Sequence, residues 1–163
     1  MTTSRMALIG RASIGLTSIA ALLVPVAAQA QTECQGPKSE TSIEVTVTGL
    51  RDAKGQVAVT LYADDPSHFL VKHGSMYSGR VTAVAPVTKM CLYVPKPGVY
   101  GLAVYHDANG NGKFDRGGLI GLPLEAYGFS NNPATFFSLP SFRSVRLDIA
   151  HSGMTTSIKL KYP

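Results

Sequence analysis

Apolar and polar residues alternate with a period of two through much of the chain beyond residue 42. Ile43, Val45 and Val47 are separated by Glu44 and Thr46, and Val57, Val59 and Leu61 by Ala58 and Thr60. Such alternation gives a strand one buried and one outward face. With only residues 49–55 between them, these two runs predict an antiparallel pair. Asp64-Asp65-Pro66 is an acidic cap followed by proline, and predicts one short helix near residues 66–73, closed by Gly74. Further strands are predicted over residues 80–87 and 90–94. Pro95-Lys96-Pro97-Gly98 then breaks the chain, and residues 99–106 read as a central strand apolar on both faces. Residues 119–124, 145–149 and 155–162 complete the set, with His151-Ser152-Gly153 turning the chain before the last. Roughly seven strands with almost no helix predict an all-β fold, a single antiparallel β-sandwich.

The first thirty residues follow another pattern. Arg5 and Arg11 mark a basic region, residues 12–28 an apolar region rich in small side chains, and Ala28-Gln29-Ala30 a cleavage signal of A-x-A type. Residues 1–30 are therefore expected to be a cleaved Sec-type signal peptide, residues 31–41 a loose leader, and residues 42–163 the sandwich domain. A single membrane anchor is the alternative reading. The small residues and the A-x-A favour cleavage, which leaves a periplasmic or secreted protein without stable membrane insertion.

Charge removes one class of function. The 163 residues carry 15 Lys and Arg against 10 Asp and Glu, and Arg5 and Arg11 belong to the leader. The basic residues that remain are scattered singly, so no nucleic-acid partner is expected. The two cysteines, Cys34 and Cys91, form an even pair in an exported chain and are expected to be joined, two free thiols being the alternative. Closing a loop of that length stabilises by about 4 kcal/mol in the chain-entropy model.

Candidate chemistry concentrates in His106-Asp107-Ala108-Asn109-Gly110-Asn111-Gly112-Lys113-Phe114-Asp115. Asp107, Asn109, Asn111 and Gly112 match positions 1, 3, 5 and 6 of an EF-hand calcium loop, and Asp115 falls at position 9. Lys113 stands at position 7, where only the backbone carbonyl is used. A hard cation needs six to eight oxygens, and alternate residues of a tight loop turn inward together. Gly118 occupies position 12, where a bidentate Glu is required, and Glu125 is the candidate to complete the shell from outside. The competing reading needs no ion: both Asn-Gly pairs favour positive φ and make a hairpin turn. If the loop is only a turn, Glu125 is expected to clasp its backbone N–H groups.

No nucleophile elbow, zinc-protease helix or phosphate loop is present, so the chain is not expected to be an enzyme. The enzymatic rival is a metal-assisted hydrolase using His106. Residues 127–137 hold Tyr127, Phe129, Phe136 and Phe137 among small polar residues. They read either as a loop anchored by aromatic burial or as a ligand surface in which Tyr127, Phe129, Asn131 and Asn132 take part.

Residues 100–115, then Gly121-Leu122-Pro123, then Glu125-Ala126-Tyr127-Gly128-Phe129-Ser130-Asn131-Asn132, resemble the DUF2141 family. Its members are small exported bacterial proteins of unknown function. The likeness runs from about residue 43 to residue 162, and Pro140-Ser141-Phe142 adds to it. It implies a β-sandwich similar to transthyretin-like and carboxypeptidase-regulatory-like modules. Arg116-Gly117-Gly118 departs from the family pattern. The expected role is a non-catalytic module with an unknown protein or small-molecule partner in the cell envelope. It would bind calcium or a ligand at the end formed by residues 107–115 and 125–132.

Overall fold

The computed structural model describes Met1, residues 33–135 and residues 138–163. The signal peptide expected over residues 1–30, apart from Met1, lies outside the described residues, as do Phe136 and Phe137. The chain is predominantly β. In order come β1 (Thr41–Thr48), β2 (Gln56–Ala63), β3 (Tyr77–Thr82), β4 (Val87–Val94), β5 (Gly98–Asp107), β6 (Arg116–Gly117), β7 (Leu122–Pro123), β8 (Tyr127–Phe129), α1 (Phe142–Val145), β9 (Arg146–Ile149) and β10 (Met154–Lys159). One sheet has the order β10-β1-β4 and a second β3-β2-β5-β8, with β9 also on β5. The hairpin β6-β7 stands by itself.

Alternation explains the core. Ile43, Val45 and Val47 from β1, Leu92 and Val94 from β4 and Ile158 from β10 share one buried cluster with Val57, Val59, Leu61, Leu102, Val104 and Ile149 of the other sheet. Full burial of each such side chain stabilises by about 1.5–3 kcal/mol. The same arrangement corrects the expected pairing. β1 and β2 are not neighbours: β1 pairs β4 and β10, whereas β2 pairs β3 and β5. Both strands have one apolar face, and these faces meet across the core rather than the strands joining edge to edge.

The expectation of an antiparallel sheet throughout is also corrected, because β1 and β10 run parallel. The turn at residues 150–153 carries the chain from β5's sheet to β1's instead of closing a hairpin. Gly153 N–H donates to the Ser42 carbonyl at 2.9 Å and fixes that crossing. Among the described residues ten strands stand where about seven were expected, since β6, β7 and β8 are only two or three residues long. The strand expected over residues 119–124 shrinks to Leu122–Pro123. Gly118 and Gly121 take φ of 71° and 64°, so the chain turns between them.

The helix expected over residues 66–73 is a single 3₁₀ turn, Pro66–His68. Its Asp65 cap forms as expected, accepting from Ser67 N–H at 2.9 Å. Beyond it Phe69 is drawn into a second apolar cluster with Tyr62, Phe129, Phe142 and Val145, and Leu70 adopts φ of 57°, which ends any helix. This cluster lies on the opposite face of β2 and β5 from the main core, as the neighbours Leu61 and Tyr62 require. Cys34 and Cys91 form a disulfide. It fixes the N-terminal segment against β4, where Gln35 N–H also donates to the Cys91 carbonyl at 2.8 Å.

Candidate functional site

β5 delivers Asp107 fully buried at the start of the loop. Its Oδ1 accepts from Asn111 N–H at 3.0 Å and its Oδ2 from Gly112 N–H at 2.8 Å. Gly110 and Gly112 take φ of 70° and 76°, which lets the chain fold back over the carboxylate. The two asparagines close the loop further: Asn109 Oδ1 accepts from Asn111 N–H at 3.0 Å, and Asn111 Oδ1 from Lys113 N–H at 2.8 Å. Their amide groups converge on Asp115 Oδ2 at 2.7 and 2.8 Å. Those hydrogen bonds, Asn109's first, hold the Asp115 carboxyl below its usual range.

A cation does stand beside Asp107, and it belongs to the chain. Arg80 of β3 donates from Nη1 to Asp107 Oδ2 at 3.3 Å, and from Nη2 to the Tyr105 hydroxyl at 2.6 Å and the Gly112 carbonyl at 2.8 Å. Sequence reasoning missed Arg80, which lies 27 positions from Asp107. The signal exists only in the register: Ala58 pairs with both Arg80 and Tyr105, placing all three in one row across the sheet.

Glu125 returns to the loop. It is only 8 % exposed, and its Oε2 accepts from Asp115 N–H at 3.0 Å. Burial, and less strongly the neighbouring Asp107 and Asp115, raise its pKa above the ordinary value. Its Oε1 is buried without a hydrogen-bond partner. Among the described residues, the one trio of His, Cys, Asp or Glu close enough to share an ion is Cys34, Glu44 and Cys91, whose two sulfurs are joined to each other. His106 is 2 % exposed, and its Nε2 lies 2.7 Å from the Lys54 carbonyl and 4.0 Å from the Asp52 carboxylate.

The segment after Glu125 divides its work. Gly128 faces β10, where a Cβ would come within 2.8 Å of the Lys159 carbonyl oxygen. Tyr127 and Phe129, on either side, point the other way. Ser130 is buried and exchanges hydrogen bonds with Leu102. Asn131 and Asn132 take φ of 63° and 48°. Asn131 Nδ2 donates to the Arg146 carbonyl at 2.7 Å. Asn132 bridges to β10 through Ser157 O at 2.9 Å and Lys159 N–H at 2.7 Å. These two asparagines therefore fasten backbone, and of the four candidate surface residues Tyr127 and Phe129 line the cavity on the outer face of the sheet.

That cavity, of about 810 Å³, lies on the outer face of the β3-β2-β5-β8 sheet. One cross-strand row supplies a floor of small residues, Ser78, Thr60 and Ala103, and ends in Phe129. The next row carries Tyr105 and Tyr127, and Phe114 packs between these rings at centroid distances of 5.4 and 6.1 Å. Lys72, His73 and Arg116, all exposed, belong to its lining, and among the described residues no carboxylate lines it.

The family model described as an uncharacterized protein conserved in bacteria, DUF2141, matches residues 45–157. The chain belongs to this family. Neither a curated protein nor a solved structure matches it. In this DUF2141 chain the matched span includes the loop, Glu125 and the cavity-lining aromatics. Arg116 lines the cavity with its guanidinium 5.2 Å from the Phe114 ring centre.

Proposed function

We propose that this DUF2141 protein is an exported, non-catalytic β-sandwich module, transthyretin-like in plan, that holds a small amphipathic anion in the outer cavity. The observation that carries the reading is the lining itself. Aromatic walls, a hydroxyl-bearing floor and a rim of Lys72, His73 and Arg116 without any carboxylate suit an apolar body with one anionic head. A volume of about 810 Å³ falls within the range of small-molecule sites. Export is supported by the leader pattern and by the disulfide, and no helix among the described residues is long and apolar enough to cross a membrane. The non-catalytic reading is supported by His106, which is buried, faces a backbone carbonyl and does not line the cavity.

The test uses anilinonaphthalene sulfonate, an aromatic anion, against its neutral analogue phenylnaphthylamine. The anion should bind more tightly, and Lys72→Glu with Arg116→Glu should abolish that preference. Filling the floor with Ser78→Phe should weaken both probes. Equal binding of the two probes, or no response to the charge reversals, overturns the proposal.

A calcium site at residues 107–115 is kept as a second reading because of one observation, the unpartnered Glu125 Oε1. Under it, millimolar calcium raises the melting temperature of the wild type and not of Glu125→Gln. An unchanged wild-type melting temperature leaves the loop as a turn.

A further inference from the structure

Four large apolar side chains stand in solvent on one short hairpin. Leu119 is fully exposed, Ile120 is 80 % exposed, and Leu122 and Leu124 are 58 % and 64 % exposed. A single exposed leucine is ordinary on a protein surface, but four within six residues form a patch. The hairpin pairs Arg116–Gly117 with Leu122–Pro123, and its turn is set by Gly118 and Gly121. A Cβ placed on either glycine would meet nothing within 4 Å, so the tip projects clear of the rest of the described chain.

Basic side chains stand at the base of the tip. Residues 116–124 contain no acid, and Lys113 and Arg116 beside them are exposed. Asp115, the adjacent carboxylate, is turned toward the amides of Asn109 and Asn111.

We propose that this tip is a peripheral membrane anchor that inserts its leucine and isoleucine side chains into the interface of an anionic lipid surface. Two arguments favour lipid over a protein partner. Four side chains of this size offer roughly 250–500 Å² of apolar surface. A stable protein interface buries about 800 Å² per partner. An apolar projection with basic neighbours, by contrast, suits an interface that needs no complementary shape and carries negative charge. An anchor this small holds weakly and reversibly, as even a single myristoyl chain, with a partition constant of about 10⁴ M⁻¹, does. The inference shares Arg116 with the cavity lining but rests on the exposed leucine and isoleucine side chains, and the cavity's ligand plays no part in it.

The experiment is co-sedimentation of the purified protein with phosphatidylcholine vesicles, with and without phosphatidylglycerol. Binding is expected to the anionic vesicles, falling as salt is raised. Leu119→Ser with Ile120→Ser should weaken it by about tenfold or more, with an unchanged melting temperature because the tip packs on nothing. The chain has no tryptophan, so Ile120→Trp supplies a single indole whose emission should shift to the blue on the vesicles. Absence of vesicle binding by the wild type overturns the proposal, as does equal binding by the serine variant. A wild-type dimer that the serine variant dissolves also overturns it, because a second copy would then cover the tip.

Discussion

Removing the Asp107 carboxylate should be among the most damaging single changes to this domain. The side chain is fully buried and accepts from Asn111 N–H, Gly112 N–H and Arg80 Nη1. A hydrogen bond to a charged group stabilises by about 1.5–3 kcal/mol. The three do not add at full value in Asp107→Ala. Asn111 and Gly112 are exposed, so water can reach their freed N–H groups. Arg80 keeps Tyr105 and Gly112 O as partners and is partly exposed, so its charge is not stranded. Allowing for this, the loss should be about 3–5 kcal/mol. For a domain of this size that lowers the melting temperature by roughly 10–20 °C. Asp107→Asn keeps one acceptor and the shape, and should lose about half as much. Urea unfolding followed by circular dichroism gives both values, with a double-mutant cycle against Arg80→Met for the pair. A loss below about 1 kcal/mol for Asp107→Ala would refute the view that this carboxylate holds the loop together.

Two further outcomes follow from geometry already described. Cys34→Ser with Cys91→Ser should cost about 4 kcal/mol, read as a fall in the urea midpoint, and an unchanged midpoint would remove the disulfide from the account of stability. Glu125 should impose a pH dependence of opposite sign to that of an ordinary surface carboxylate. Its folded pKa is raised above the ordinary 4.5, so the stability of its protonated form is full below 4.5 and is lost as pH rises through the folded value. Asp115, lowered from 3.8, loses its contribution only as pH falls below that value, so the two windows are separate. Glu125→Gln should flatten the melting curve above pH 4.5, and parallel wild-type and variant curves from there to neutrality would sink the assignment.

What the sequence made legible is what repeats locally. Ile43, Val45 and Val47 announce a strand because burial recurs every second residue, and Asp65-Pro66 announces a helical start because the cap is formed by neighbours. Pairing is another matter. Alternation says which face is buried, not whether the next apolar strand lies beside it or across the core, and β1 and β2 took the second course. Helix α1 is four residues long, too short for periodicity to separate from the strand that follows it. Within the candidate site, Asp107, Asn109, Asn111, Asp115 and Glu125 could be gathered from spacing because ten residues of chain return on themselves. Arg80 could not, since its place depends on the register of β3 on β2 and of β2 on β5. The cavity was hidden for the same reason: its floor is made of Ser78, Thr60 and Ala103, each unremarked in its own strand until the register aligns them.

The turn and cation readings of the loop compete for the same atoms, above all at Asp107. A calcium ion needs oxygens at about 2.3–2.6 Å. Bound to this carboxylate it would sit close to the Arg80 guanidinium, itself 3.3 Å from Oδ2. At about 4 Å and an effective dielectric constant of 20, each pair of unit charges repels by about 4 kcal/mol, and a divalent ion doubles that. Arg80 would have to leave, giving up Tyr105 and Gly112 O as well as Asp107. The guanidinium already supplies what the ion would supply, a positive charge that gathers a carboxylate and a loop carbonyl. At the far side Glu125 Oε1 is, among the described residues, the buried side-chain oxygen left over. A proton there neutralises the carboxylate without displacing any contact, and the upward displacement of the Glu125 pKa by burial, Asp107 and Asp115 is the direction that favours the proton. The contacts present are those of a turn held by Arg80 on one side and by Glu125, its pKa displaced upward by burial, on the other.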